Sequence, residues 1–301
     1  MKPAAFDYSR PETLPEVVDL LGNLGSDGKV LAGGQSLLPL LSMRLAAPAH
    51  LVDINRVAEL DYVRSNSDGV RIGALARHSS VERDPGARVV QPMLSKALRL
   101  VAHPTIRNRG TTVGSIVHAD PAAEMPTVLC LLGGTVFVES SAGHRQIEAA
   151  EFFQGPLESA LVAGEIAVAA FFPALPAQSG VAFVEVSRRH GDYAVVGVGA
   201  LITVDDDLRI SSARVGLLSV SATPLVLDLT DAIRGKSLDS DLSDAGVIAR
   251  EAAEPEPDIH ASADYRRHLV GVLTDRAVRE AAAAASDAAL AAEPHAGSSQ
   301  P

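Results

Sequence analysis

The sequence is poor in the residues that mark several protein classes, and each shortage removes possibilities. It has a single cysteine, Cys130. One thiol forms no internal disulfide, no cysteine-ligated zinc site and no iron–sulfur cluster held by this chain alone. Cys130 lies inside the apolar run Val128–Leu132, which marks it as core packing rather than a catalytic thiol. Positive charge is scarce as well: 26 Lys and Arg stand against 37 Asp and Glu, for a formal charge of -11. Such a chain lacks the electrostatic footprint of a nucleic-acid binder, and it has no basic amphipathic stretch suited to a membrane surface. Its apolar runs, Ala194–Val204 among the longest, fall below the roughly 18 residues a membrane span needs. No apolar segment of the secretory kind follows Met1-Lys2-Pro3-Ala4-Ala5-Phe6-Asp7. The expectation is a soluble, cytoplasmic protein with no nucleic-acid partner and no membrane span. Standard nucleotide motifs are missing too. No Gly-Lys-Ser/Thr closes a phosphate loop, and neither glycine-rich stretch matches G-x-G-x-x-G.

What is present fits about two domains. The chain has 301 residues, of which 47% are hydrophobic, enough for a full core. It is organised around Val30-Leu31-Ala32-Gly33-Gly34-Gln35-Ser36-Leu37-Leu38. A short apolar segment enters two glycines, then a small polar pair, then the apolar run Leu37–Leu45, which predicts strand, tight turn and helix start. Glycine lets a ligand approach the main chain closely, and amides after such a turn favour an anion such as a diphosphate. A plain strand-to-helix turn explains the same two glycines.

Around this turn the pattern is mixed α and β. Thr13 with Glu16 has capping-box spacing ahead of a helix reaching Leu24. Strands are predicted at Lys29–Leu31, Leu51–Ile54, Val70–Leu75 and Glu165–Ala170, with a hairpin of Gly134–Val138 and Arg145–Ile147. Helices are predicted from Ser79, over Pro92–Ala102 and over about Ala122–Leu132, and Phe152–Gly164 is expected to be a loop with a short helix. Pro173-Ala174-Leu175-Pro176-Ala177 is the candidate boundary. Beyond it, Val181–Val186, Ala194–Val204 and Ile210–Val220 predict a three-stranded antiparallel meander turning at Asp205-Asp206-Asp207. Helices are then expected at Leu225–Ile233, Leu242–Ala252 and Tyr265–Ala289. The tail Glu293–Pro301 is expected to be disordered. The division is 1–176, 177–290 and a tail 291–301.

A second stretch, Thr105 to Glu124, is rich in glycine and small hydroxyls and contains Arg107, Arg109, His118, Asp120 and Glu124. His118, Asp120 and Glu124 are spaced as no common metal motif, and Pro121 breaks a shared helical face, so capping and loop hydrogen bonds are favoured over a metal. Asp120-Pro121 is a natural helix start, with Asp at the N-cap and Pro at the first position. Arg107 and Arg109 suit structural ion pairing, with pairing to phosphate or to a partner's carboxylates as the alternative. A hairpin loop explains the glycine and aspartate of Arg188-Arg189-His190-Gly191-Asp192-Tyr193 but not its double arginine or its tyrosine, which could cover a flat ring. No residue set suggests a catalytic triad.

Together these stretches resemble a known family. Ala32-Gly33-Gly34-Gln35-Ser36-Leu37-Leu38-Pro39 with Leu51-Val52-Asp53-Ile54-Asn55 is similar to the first flavin loop of the FAD-binding medium subunits of molybdenum hydroxylases, the carbon monoxide dehydrogenase and xanthine dehydrogenase type. Ile106 to Thr111, continuing through His118-Ala119-Asp120-Pro121-Ala122-Ala123-Glu124, resembles the second flavin loop. Arg188-Arg189-x-Gly191-Asp192-Tyr193-Ala194 and Tyr265-Arg266-x-x-Leu269 resemble the C-terminal domain. The likeness covers about residues 3 to 285.

It implies an α+β fold: a two-lobed FAD-binding domain of the vanillyl-alcohol-oxidase-like type, then a small domain with a three-stranded antiparallel sheet and helices. It implies that Ala32, Gly33, Gly34, Gln35, Ser36 and Leu37, with Thr111, Thr112, Val113, Gly114 and Ser115, hold FAD. Asp120 and Glu124 would bond the cofactor or its loop, Val101 and Leu161 would line the pocket, and Tyr193 would lie near the isoalloxazine. No residue of this chain is implied to be catalytic, and no metal is held by it. A large molybdenum-pterin subunit would oxidise substrate, a small subunit with two [2Fe–2S] clusters would carry electrons, and FAD here would pass them to an external acceptor, within a dimer of heterotrimers. The family reads Thr-x-Gly-Gly-Ser where this chain has Val113. A β-branched residue resists positive φ, so this departure bears on the loop's conformation and its hold on FAD. A self-sufficient flavin oxidoreductase and a flavin-less assembly subunit are the other readings.

Overall fold

The computed structural model describes residues 2–292, so the tail expected over Glu293–Pro301 lies outside the described residues. Ala291 and Ala292, placed in that tail by sequence, end a helix instead.

The chain opens with a three-stranded parallel sheet whose central strand, His50–Asp53, pairs with Asp7–Ser9 on one side and Gly28–Leu31 on the other. Between them runs helix Leu14–Leu24, which starts as its sequence predicts. The Thr13 side chain accepts from the Glu16 amide and the Glu16 side chain returns to the cap backbone. Its apolar face buries Val17 and Leu21.

The second layer is a five-stranded antiparallel sheet in the order Val63–Ser65, Gly69–Gly73, Ile166–Pro173, Thr135–Ser140, Gly143–Glu148. Helices Pro92–Leu98, Thr112–His118 and Glu124–Leu132 add Met93, Leu94, Leu98, Ile116, Val128 and Leu129 to its core. Helix Pro92–Leu98 ends earlier than its periodicity suggests, because the chain reaches the left-handed region at Ala102 (φ 43°). His103-Pro104 then starts a short helix, Pro104–Arg107. Thr105 to Glu124 is not one loop: Thr111 caps helix Thr112–His118 by accepting from the Gly114 amide. Asp120 is not the N-cap of the following helix, which begins at Glu124. Its carboxylate accepts from the Ala122 amide instead, closing a local turn. Phe152–Gly164 holds two short paired strands, the helix having ended at Phe152.

The C-terminal sheet has four antiparallel strands, Ser179–Ser187, Ala194–Val204, Ile210–Leu218 and Leu225–Asp228, rather than three. Leu225–Asp228 carries a run of β-branched and aliphatic residues that pairs with Ile210–Leu218, which overrides the helix expected there; only Thr230–Ile233 is helical. Each face of this sheet carries a helix. The face of the even-numbered residues of Ser179–Ser187, the even face, takes helix Ala263–Ala292, whose Ala277, Ala281 and Ala282 are buried. A Cβ on Gly180 would lie 2.2 Å from the Ala281 carbonyl oxygen, so the backbones pack almost directly. The face of the odd-numbered residues of Ser179–Ser187, the odd face, takes helix Glu124–Leu132: a Cβ on Gly199 would lie 3.0 Å from Leu131 Cδ2, and one on its cross-strand partner Gly216 2.9 Å from Thr127 Cγ2. Val181, Phe183 and Leu218 therefore belong to the core of the N-terminal region.

Arg266 secures the long helix. Its guanidinium donates to the Val195 and Ser219 carbonyls and, at 2.7 Å, to Asp258. Partial burial opposes ionisation of Asp258, but the His260 and Ala261 amides and Arg266 hold its carboxyl down at about 2. Arg266→Met keeps the packed stem and removes these bonds. It is expected to lower the unfolding free energy by about 2–3 kcal/mol, measured by urea denaturation at neutral pH. Asp258 has a depressed pKa, so its share of stability is present above the ordinary carboxylate range and is lost as pH falls through about 2. The variant's deficit should shrink accordingly in acid.

Candidate functional site

Two loops from distant parts of the chain meet back to back. A Cβ on Gly33 would lie 2.4 Å from the Arg109 carbonyl oxygen and 2.7 Å from Gly110 Cα. Both neighbours are backbone, so no side chain can give way, and glycine is required by contact rather than by dihedral. Gly34 adds a dihedral requirement, at φ 73° in the left-handed region.

A buried polar network holds the pair in register. Asn55 donates to the Ala32 carbonyl at 2.8 Å and to Asp53 at 2.6 Å. Arg77 donates to Asn55 and to the Arg109 carbonyl, each at 2.7 Å. Tyr8 donates to Asp53, whose carboxylate also faces Arg10 at 3.6 Å. Burial acts against the charge on Asp53, yet the bonds from Tyr8 and Asn55 and the nearby Arg10 hold its carboxyl below the usual range. Arg77 and Thr111 form an isolated antiparallel bridge, and His78 donates its amide to the Gly110 carbonyl at 3.0 Å. Burial, helped by Arg107, pushes His78 down to about 4, so it is a neutral packing group.

Beside this junction lies a cleft of about 480 Å³. Ala32, Gly33, Gly34, Gln35, Ser36 and Leu37 form one wall, and Thr111, Val113, Gly114 and Ser115 the opposite one. Val101 and Leu161 line it, as do Asp120, Glu124 and Tyr193. Thr112 does not. It is fully buried beneath the cleft, its hydroxyl 3.3 Å from His78 Nδ1. Val113 is helical rather than strained: its φ is not positive, and its side chain is 2% exposed within the core. The conformation of the loop therefore needs no glycine at this position. Residues not singled out from sequence also line the cleft, Ile54, Leu157 and Glu165 among them.

The chemistry of the walls is specific. The main-chain N–H groups of Gly33, Gly34, Gln35 and Ser36 make no hydrogen bond to the described residues. Unfilled donors beside a cleft call for an acceptor-rich ligand, a diphosphate above all. Acids line the cleft too. Glu124 is 7% exposed, and burial followed by the neighbouring Glu185 carboxyl pushes it up to about 8. Tyr193 is exposed along its body, while burial of its hydroxyl end and the Asp120 and Glu124 carboxylates push its phenol up to about 12. Apolar side chains, unfilled amides and an aromatic ring on the walls of one cleft fit a dinucleotide with a flat ring.

The other candidates are structural. Arg107 is buried, pairs with Glu82 at 2.9 Å and donates to the Val101 and Ala102 carbonyls. Arg188 and Asp192 pair at 3.4 Å across the loop that presents Tyr193. His118, Asp120 and Glu124 do not assemble a metal site, and among the described residues no group of three or more His, Cys, Asp or Glu does. Burial pushes the Cys130 thiol up to about 12, which fits packing. No helix among the described residues is long and apolar enough to cross a membrane.

Comparison with known proteins follows the same division. Residues 4–175 match the FAD binding domain in molybdopterin dehydrogenase, and residues 181–281 the CO dehydrogenase flavoprotein C-terminal domain. The 6-hydroxypseudooxynicotine dehydrogenase complex subunit alpha of Paenarthrobacter nicotinovorans is 39% identical over 93% of this chain and 96% of its own length. The caffeine dehydrogenase subunit beta of a Pseudomonas species is 39% identical over 94% of this chain and 96% of its own. Carbon monoxide dehydrogenase of Hydrogenophaga pseudoflava superposes with a TM-score of 0.89 at 35% identity, covering 94% of this chain and 99% of that one. With both of its regions matched in order and relatives aligned end to end, the chain belongs to the family of FAD-binding medium subunits of molybdenum hydroxylases, and is a subunit of an oxidoreductase.

Proposed function

We propose that this chain is the electron-transfer subunit of a heterotrimeric molybdenum hydroxylase, holding FAD in the cleft between its two glycine turns. The observation that carries the reading is the set of four unfilled amides from Gly33 to Ser36, held against the second loop by the Gly33–Gly110 contact. In this reading those amides bind the diphosphate, and Gly114 and Ser115 hold the opposite side of the chain leading to the ring. Val101 and Leu161 exclude water from the middle, and Tyr193 covers the flat face at the mouth. The first domain, 1–176, takes a two-lobed arrangement of the vanillyl-alcohol-oxidase-like type, and 177–290 closes over it.

FAD supplies the redox chemistry, accepting electrons and releasing them to an external acceptor. The chain contributes position and electrostatics. Substrate would be oxidised at molybdenum-pterin on a large subunit, and electrons would arrive through two [2Fe–2S] clusters on a small one. A single cysteine is consistent with this division, since the clusters need thiolates that this chain lacks. A dimer of such heterotrimers in the cytoplasm completes the reading. The flavin-less alternative had its support in Val113, and the helical placement of that residue withdraws it.

Co-expression with the two partner subunits tests the assignment. The three chains are expected to purify together, with flavin absorption bands and one FAD per copy of this chain; a complex of normal composition without flavin overturns it. Gly33→Ala is the sharper probe. A methyl group pressed against the Arg109 carbonyl parts the two loops, so FAD occupancy should fall at least tenfold while far-UV circular dichroism stays close to wild type. Full occupancy in that variant would show that the convergence of the loops does not hold the cofactor.

A further inference from the structure

Helix Glu124–Leu132 joins the cleft to the C-terminal sheet, and its polar groups are left unsatisfied. Cross-strand partners and alternate residues share a face of a sheet. Glu185 pairs with Gly197, two residues before Gly199 on the same strand, so Glu185 lies on the odd face that receives this helix. Its Oε2 is buried with no hydrogen-bond partner, and so is the hydroxyl of Thr127, one helical turn beyond Glu124. Glu124 opens the helix, buried, on the wall of the cleft. Among the described residues no other residue donates a hydrogen bond to its carboxyl.

Among the described residues no cation forms an ion pair with these acids. Around Glu124 stand Asp120 before the helix, Glu185 from the sheet, Tyr193 from the loop and Arg107. Arg107 is committed to Glu82 and to two carbonyls. His78 and His118 line the same cleft and are both driven toward the neutral form by burial; Lys29 and Glu165 line it too. A buried carboxyl and a half-buried one with a buried, unpartnered oxygen, close together and without a paired cation, do not both ionise readily.

We propose that Glu124 meets the cofactor as a neutral carboxylic acid, donating a hydrogen bond to an acceptor on FAD, and that Glu185 is the positioning residue that keeps the proton there. The inference rests on FAD occupying the cleft. A neutral carboxyl both donates and accepts, whereas a carboxylate only accepts and would add charge beside Asp120. Burial pushes Glu185 up to about 7, and burial with Glu185 pushes Glu124 up to about 8, so the proton is retained at neutral pH.

The test is FAD affinity of the deflavinated complex, read by quenching of flavin fluorescence between about pH 6 and 9.5. Affinity should be level up to about pH 7.5, then fall by up to about tenfold per pH unit above 8 as the required proton is lost. Glu124→Gln supplies a neutral donor and acceptor at every pH, so its profile should be flat. Glu185→Gln removes the like charge, so Glu124 ionises more easily and the fall should begin at lower pH. A level wild-type profile, or an unchanged fall in Glu124→Gln, overturns the proposal while leaving FAD binding intact. If Glu124→Gln does not fold, Glu185→Gln decides, and an unmoved midpoint refutes the role of Glu185. A complex that binds no FAD at any pH instead defeats the assignment of the cleft.

Discussion

One backbone contact governs the rest of the molecule: Gly33 lying against Arg109 and Gly110. It brings into one place two turns separated by more than a domain core's worth of sequence. Neither turn binds much alone. The first offers four free amides, and the second offers small hydroxyl and glycine positions at the start of a capped helix. Set back to back, they make two walls of one cleft. The approach is closer than any Cβ permits, so it depends on residue type at Gly33 in a way that no rearrangement of side chains can relieve. The Asn55–Arg77 network fixes the same junction by hydrogen bonds. Its members satisfy one another, so the buried carboxylate of Asp53 and the half-buried guanidinium of Arg77 are both hydrogen-bonded.

The C-terminal region meets the site twice, through the loop whose Tyr193 lines the cleft and through a helix of the N-terminal region packed on its sheet. Glu124–Leu132 has one end in the cleft and its side on the C-terminal sheet, where Gly199 and Gly216 leave room for it. The sheet is thus clamped between this helix and Ala263–Ala292, with backbone against backbone at Gly180 and the side chains of Thr127 and Leu131 seated over Gly216 and Gly199 on the other face. Glu185 and the loop carrying Tyr193 both belong to the C-terminal sheet, and both stand near Glu124 on the wall of the cleft.

Much of this was legible in the sequence because the signals are local. Thr13 and Glu16 declare a helix start, and Gly33-Gly34 between an apolar strand and an apolar helix declares a tight turn. Fifteen of the sixteen residues assigned to the cofactor line the cleft; Thr112, the exception, turns inward on a helix whose phase its small neighbours do not reveal. What stayed hidden depends on partners distant in the chain. Leu225–Asp228 is a strand because Ile210–Leu218 offers an open edge, and its short aliphatic run alone is ambiguous. Arg77 carries no motif, and its role exists only where the Arg109 carbonyl comes within reach. Glu185 did leave a trace: it is a charge at the position where Val181 and Phe183 predict an apolar side chain.

Val113 shows why a motif and its physical cause must be kept apart. In the family the matching position is glycine, which invites the inference that the backbone there needs a conformation closed to other residues. The chain instead enters a right-handed helix at Thr112, and in that geometry a β-branched side chain is acceptable when it has a core to fill. Val113 has one, beneath the cleft floor. The glycines under constraint are identified by what they touch: Gly33 by the Arg109 carbonyl, which cannot yield, and Gly114 by the Thr111 hydroxyl that caps its own amide, 2.5 Å from where a Cβ would stand, so that a side chain there would displace the cap. The departure at Val113 therefore changes the floor of the site and leaves its two essential contacts in place.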